Sequence, residues 1–180
     1  MNEFDFKQCL AFSYGVTQET HPETIKSLIP GCIMVDQSEI NDDLSGIDFW
    51  ATLRGGAKLR IDIKARSGGC SNYWISNIPE LALEKWSCIP QDGSPGKTGW
   101  TLDESKLTDY TLHVFDQIDT LEVFLLPFQL LRIAFRHNIK SWSNKYRSAK
   151  QNNGSWISEC IFVPAPVVIQ AISSEMHPYS

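Results

Sequence analysis

Asp48, Asp62 and Lys64 are the residues of this chain whose types and spacing could do chemistry together. A pair of carboxylates can hold a divalent cation, and a lysine two residues along a strand can orient or deprotonate a water. That is the minimal equipment for metal-assisted cleavage of a phosphodiester. The acids lie in two apolar stretches, Gly46-Ile47-Asp48-Phe49-Trp50 and Leu59-Arg60-Ile61-Asp62-Ile63-Lys64, with Gly55-Gly56 between them. Both stretches read as strands joined by a short turn.

Side chains alternate along a strand, so Asp62 and Lys64 share one face while Ile61 and Ile63 take the other. A two-residue Gly55-Gly56 turn would place Asp48 opposite Ile63 and split the carboxylates between faces. A three-residue Gly55-Gly56-Ala57 loop instead puts Asp48 opposite Lys64 and Trp50 opposite Asp62. It gathers Phe49, Ala51, Leu53, Leu59, Ile61 and Ile63 on one face and leaves both acids and the lysine on the other. Three-residue hairpin loops with a left-handed glycine are common, so this second register is the expected one.

The chain has 180 residues, 42% hydrophobic and 21% charged. That suits one compact domain over residues 1–180. No run of about 18 apolar residues occurs, which argues against a membrane partner. The first residues, MNEFDFKQ, are acidic and lack a signal-peptide core, so a cytoplasmic location is expected. Cys9, Cys32, Cys70, Cys88 and Cys160 are scattered and odd in number, which speaks for reduced, mostly buried thiols and against a disulfide or zinc framework.

Charge is unevenly distributed. No acid lies between Glu122 and Glu159, while Arg132, Arg136, Lys140, Lys145, Arg147 and Lys150 give that segment +6. In a chain of net charge −5 this leaves −11 for the remainder. Such asymmetry suits an acidic metal site paired with a separate grip on phosphate, with a solvated helical face as the plainer alternative.

In chain order, a helix is expected from about Phe4 to Tyr14 and a second, short one around His21–Lys26, with Thr20 as its cap and Pro22 in its first turn. Cys32–Val35 reads as a first strand. After Lys64, a glycine- and serine-rich loop spans Ala65 to Tyr73. Pro79 to Trp86, with proline at its start and an early glutamate, predicts a short helix. Residues 90–109 form a long polar excursion of the functional or mobile kind. Within it Gly93-Ser-Pro-Gly96-Lys97-Thr98 has the wrong spacing for a phosphate loop and follows no apolar strand. Tyr110–Phe115 and Leu121–Leu126 predict a hairpin, and Pro127 opens the longest helix. Ile157–Val163 reads as a strand, and Pro164–Ile172 suits either a helix or a strand.

A helix, then three strands with acids on the second and third, then another helix and further strands resembles the PD-(D/E)XK nuclease superfamily. Asp48 stands as its first acid and Asp62-Ile63-Lys64 as its D-x-K tripeptide, with Ile47 where many members carry proline. The likeness covers element order over most of the chain and rests on three diagnostic residues. It implies an α/β (α+β) fold with a restriction endonuclease-like mixed central sheet flanked by helices and an αβββαβ core. It also implies Mg²⁺ or Mn²⁺ held by Asp48, Asp62 and the backbone carbonyl of Ile63, with Lys64 assisting the attacking water. DNA is the implied partner, gripped by the Arg132–Lys150 segment, and a homodimer is an option where both strands must be cut. Many members add a glutamate from the first helix. Glu19, Glu23 and Glu39 are candidates here, and Glu84 is a further one at the rim.

Two other classes compete. A nuclease fold without turnover could serve as an inhibitor or accessory binding module, and the −11 remainder alone could mimic DNA. His113 alternates with Leu112 and Val114 and is expected to be a satisfied histidine. The six tryptophans are expected mostly in core and rim packing.

Overall fold

The computed structural model describes residues 21–39, 42, 45–67, 78–116 and 121–177. The helix expected at Phe4–Tyr14 and most of the Ala65–Tyr73 loop lie outside them. The described elements, in order, are α1 (His21–Leu28), β1 (Cys32–Gln37), β2 (Phe49–Leu53), β3 (Lys58–Ser67), β4 (Glu80–Pro90) and β5 (Lys97–Thr98). Then follow β6 (Tyr110–Asp116), β7 (Leu121–Pro127), α2 (Phe128–Lys145), β8 (Ser148–Asn152), β9 (Trp156–Pro164) and α3 (Ala165–Met176). This is a mixed α/β chain. It divides into two compact units, Met1–Asn72 with Leu107–Phe128, and Tyr73–Lys106 with Gln129–Ser180.

The first unit holds a five-stranded mixed sheet in the order β1-β2-β3-β6-β7. Strands β1, β2 and β3 form an antiparallel meander, β6 joins β3 in parallel, and β7 returns antiparallel to β6. Phe49, Ala51, Ile61, Ile63, Leu112 and Val114 line one face and pack with Ile25 and Ile29, carried by α1 and the turn after it. Burying residues of this size is worth about 1.5–3 kcal/mol each, which fixes both the register and the helix against the sheet. Gly31, at φ 78°, makes the left-handed turn from α1 into β1.

A parallel β3–β6 pair needs a crossover, and the expected αβββαβ core assigns a helix to it. Among the described residues that crossover contains no helix. It contains β4 and β5, which belong to the other sheet. The short helix expected at Pro79–Trp86 is therefore a correction: this stretch starts an eleven-residue strand. Proline followed by glutamate imitates a helix start, but Leu81 and Leu83 alternate, and both are fully buried. With β5 on one side and β9 on the other, pairing of a central strand outweighs local helix preference.

The second unit is built on the antiparallel sheet β5-β4-β9-β8. Leu81, Leu83, Ile161 and Val163, all fully buried, form its inner face. Helix α3 packs on β4 and β9. Ala165, Val168 and Ile172 are its buried residues, spaced by three and four. That helical period and the proline in its first turn decide for helix where Val167-Val168-Ile169 had suited a strand equally. In α2, Phe135 meets Trp142 with ring centroids 6.1 Å apart.

The 90–109 excursion is structural. Gly99 donates its N–H to the Lys85 carbonyl (3.0 Å), and buried Thr101 accepts the Glu84 N–H (3.0 Å). A Cβ on Gly99 would lie 2.2 Å from the Glu84 carbonyl oxygen, so glycine is there for close approach. Lys97-Thr98 is a strand against Trp86 and Cys88. Cys32, Cys88 and Cys160 are half-buried and form no disulfide among the described residues. No helix among the described residues is long and apolar enough to cross a membrane.

Candidate functional site

The β2–β3 hairpin is closed by Leu53 N–H to the Ala57 carbonyl and Gly56 N–H to the Leu53 carbonyl, both 2.8 Å, with Gly56 at φ 84°. The loop is therefore Arg54-Gly55-Gly56, three residues with a left-handed glycine at the end, placed one position earlier than expected. Phe49 pairs with Ile61, Trp50 with Arg60 and Ala51 with Leu59. The expected pairs Asp48–Lys64 and Trp50–Asp62 are thus each displaced by two residues. A shift of two preserves which face every side chain takes, so Asp62 and Lys64 keep the face opposite Ile61 and Ile63.

Asp48 stands just before β2, and its backbone is fixed from both sides. Its N–H donates to the Ile61 carbonyl (2.8 Å), and its carbonyl accepts the Ser38 N–H (2.9 Å). Ser38 Oγ donates to the Ile47 carbonyl and Thr108 Oγ1 to the Gly46 carbonyl, tying down the preceding turn. Trp50 Nε1 donates to the Asp42 carboxylate at 3.0 Å.

So held, the Asp48 side chain reaches the edge of β3, where its Oδ2 accepts the Ile63 N–H at 2.6 Å. It also comes within hydrogen-bonding reach of the Asp62 carboxyl. Lys64 Nζ lies 2.6 Å from Asp62 Oδ1. The structure thus brings Asp48, Asp62 and Lys64 together. An extended residue presents its N–H and C=O to the same neighbouring strand, so the Ile63 carbonyl faces the side on which Asp48 sits. Burial and the neighbouring Asp62 push the Asp48 carboxyl up to about 6, against the opposing pull of Lys64 and the Ile63 N–H.

Strand β6 supplies the next row. Thr111 pairs with Asp62 and His113 with Lys64. His113 is buried, and that burial, followed by the charges of Lys64 and Arg66, drives its pKa down to about 3. It is a neutral imidazole at any ordinary pH. Thr111 is fully buried, and its hydroxyl has no hydrogen-bond partner among the described residues.

His21, the first residue of α1, is a member of this neighbourhood that sequence reasoning missed. It is fully buried with neither ring nitrogen hydrogen-bonded among the described residues. Burial lowers its pKa, and the Asp48 carboxylate opposes that shift. A lone histidine before a proline carries no sequence signal for such a place.

The candidate third acids separate. Glu19 lies outside the described residues. Glu23 is in the first turn of α1, and Glu39 is exposed. Glu84 belongs to the second unit, where its carboxylate accepts the Trp100 N–H (2.9 Å) and the Ser87 hydroxyl (2.6 Å). Among the described residues no three His, Cys, Asp or Glu side chains form a group able to hold a metal. The cluster supplies two carboxylates.

The basic segment is less uniform than its sequence. Arg132 is a correction. It is 7% exposed, and its guanidinium donates to the carbonyls of Asp103 (2.7 Å) and Lys106 (3.4 Å), so it braces a loop. Arg136 pairs with Glu104 at 2.6 Å. Arg147 lies 3.9 Å above the Phe162 ring and 3.6 Å from Glu80, and Lys150, on β8, lies 3.8 Å from Glu159. Lys140 and Lys145 are exposed on α2.

Compared with known proteins, the chain matches no family model, no curated sequence and no solved structure.

Proposed function

We propose that the chain is a divalent-metal-dependent nuclease acting on DNA, with Asp48, Asp62 and Lys64 as its catalytic set. The observation that carries this reading is the Asp48 carboxylate, fixed by the Ile63 N–H and pressed against Asp62, with Lys64 on Asp62. Two carboxylates forced together destabilise each other unless a cation or a shared proton sits between them. The donor set fits Mg²⁺ or Mn²⁺: hard carboxylate oxygens from Asp48 and Asp62, with the Ile63 carbonyl on the same edge. A bound ion would supply Lewis-acid activation of a phosphodiester and its water. The chain's own part is positional. The β3 edge and the Ser38 and Ile61 contacts hold Asp48 rigidly, and the Lys64 ammonium can orient water or offset charge on a phosphoryl oxygen.

The exposed lysines of α2, Lys140 and Lys145, with Arg136, Arg147 and Lys150 as weaker, partly paired contributors, supply the phosphate grip. Cutting both strands of a duplex would call for a second copy of the chain.

The test is incubation of pure protein with supercoiled, linear and single-stranded DNA in Mg²⁺, Mn²⁺ or EDTA. Metal-dependent cleavage that is lost in Asp62→Asn and in Lys64→Ala, with unchanged circular dichroism, is the expected result. Cleavage that survives either substitution refutes the assignment. One observation favours a second reading, a non-catalytic nuclease-fold binding module: the described residues give only two carboxylates, one already neutralised by Lys64. That reading predicts DNA or partner binding that is indifferent to EDTA, with no turnover.

A further inference from the structure

The Lys64 ammonium is placed to act before any substrate arrives as well as during catalysis. It contacts the Asp62 carboxylate at 2.6 Å, on a side chain only 8% exposed, with the Asp48 carboxylate adjacent. An ammonium is a compact cation on a flexible four-carbon stem with three donors and no fixed plane. At this distance it does on Asp62 what a divalent ion would do, neutralising a carboxylate only 8% exposed. A divalent ion bound to both carboxylates and an ammonium on one of them are like charges competing for the Asp62 carboxylate. The Lys64 side chain is 31% exposed, so solvent borders it even while its ammonium is held on Asp62.

We propose that Lys64 is a built-in counter-cation that neutralises Asp62 in the resting protein and would be displaced from it by the metal, which would release its ammonium from Asp62 to meet the anionic substrate. This rests on the nuclease reading of the same site and adds an order of events: the lysine becomes available only once the metal has arrived. The protein would then carry little exposed catalytic charge until loaded.

The experiment uses metal binding and lysine reactivity and needs no turnover. Mn²⁺ binding is measured by calorimetry at pH 8 for the unmodified protein, Lys64→Met, Asp62→Asn and Arg66→Met. Removing a competing cation at contact distance should tighten Mn²⁺ binding about tenfold or more in Lys64→Met. Arg66→Met removes the same charge two residues farther along β3 and should change it far less. In parallel, trace acylation of the unmodified protein, read by mass spectrometry, should label Lys64 slowly without metal and several-fold faster with saturating Ca²⁺. Equal or weaker Mn²⁺ binding in Lys64→Met, equal gains in Lys64→Met and Arg66→Met, or Ca²⁺-independent labelling each overturn the displacement while leaving the metal site standing. No Mn²⁺ binding by the unmodified protein overturns both the displacement and the nuclease reading.

Discussion

Asp48→Asn should make the metal-free protein more stable at neutral pH, and the gain should shrink as the pH falls. Asp48 has its carboxyl pushed from 3.8 to about 6. Between those values the folded state holds a proton that the unfolded chain has released, so acidification through this window stabilises the fold. By the same linkage the ionised carboxylate at pH 7.5 costs roughly 3 kcal/mol, since each tenfold change in proton affinity is worth about 1.4 kcal/mol. Asparagine keeps an oxygen to accept the Ile63 N–H and removes that cost.

His113 has the opposite sign. Its pKa is pulled from 6.5 down to about 3. The unfolded chain therefore takes up a proton that the buried ring refuses, and stability falls by roughly 1.4 kcal/mol per pH unit below 6.5. From pH 6 to pH 4 the two groups nearly cancel, and their combined contribution to the unmodified protein is close to flat. Asp48→Asn unmasks the histidine slope. Urea unfolding in EDTA at several values from pH 4.5 to 7.5 gives the comparison. The variant's advantage should be about 3 kcal/mol at pH 7.5 and about 1 kcal/mol at pH 4.5. Taking the difference between the two proteins removes every titrating group that does not interact with Asp48, leaving Asp48 with its neighbours Asp62, Lys64 and His21. A pH-independent difference, or a variant less stable at pH 7.5, would refute the claim that Asp48 is strained by Asp62 and burial.

Further outcomes follow from single contacts. Gly99→Ala should cost about 2 kcal/mol or more in a thermal melt, the scale of overpacking against backbone, because its Cβ would meet the Glu84 carbonyl at 2.2 Å; an unchanged melting temperature would show that β4 and β5 can separate. His21→Leu should leave stability unchanged or raise it by about 1 kcal/mol, since neither ring nitrogen is hydrogen-bonded among the described residues. A clear loss in urea unfolding would reveal a partner for the ring. Arg132→Met should destabilise by about 2 kcal/mol by stranding the Asp103 and Lys106 carbonyls, with DNA affinity at fixed stability unaffected. Lys140→Ala with Lys145→Ala should do the reverse, weakening DNA binding in a filter or fluorescence assay and flattening its salt dependence. Equal effects of the two sets on DNA binding would undo the division between brace and grip.

The parity of the site was legible in the sequence because it depends on patterning that cannot be moved by one residue without exposing a core. Phe49, Ala51, Ile61 and Ile63 allow only registers that differ by two, and a glycine pair announces a short turn. Which three residues form the loop was not legible. Arg54-Gly55-Gly56 and Gly55-Gly56-Ala57 give the same faces, and the choice falls to the φ of Gly56 and the Leu53–Ala57 hydrogen bond. The strand β4 was hidden for a different reason. Pro79-Glu80-Leu81-Ala82-Leu83-Glu84 satisfies helix-start chemistry and strand alternation at once, and only distant partners on β9, such as Val163 for Leu81 and Ile161 for Leu83, break the tie.

Charge proved the least readable feature, because a formal charge says nothing of where its counter-charge lies. Arg132 and Lys140 look alike in the sequence, two cations on one helix. The first is consumed by two carbonyls of a loop that sequence reasoning had set aside as polar excursion, and the second is exposed. The same holds at the opposite sign for Glu84 and Asp48. Glu84 is spent on the Trp100 N–H and the Ser87 hydroxyl, groups that keep a carboxylate content without a cation. Asp48 has one backbone N–H and a second carboxylate for company, and its raised pKa records the shortfall. An acid left short of positive partners by a rigid backbone has been placed at a cost to stability, and a cation is the simplest ligand that would recover it.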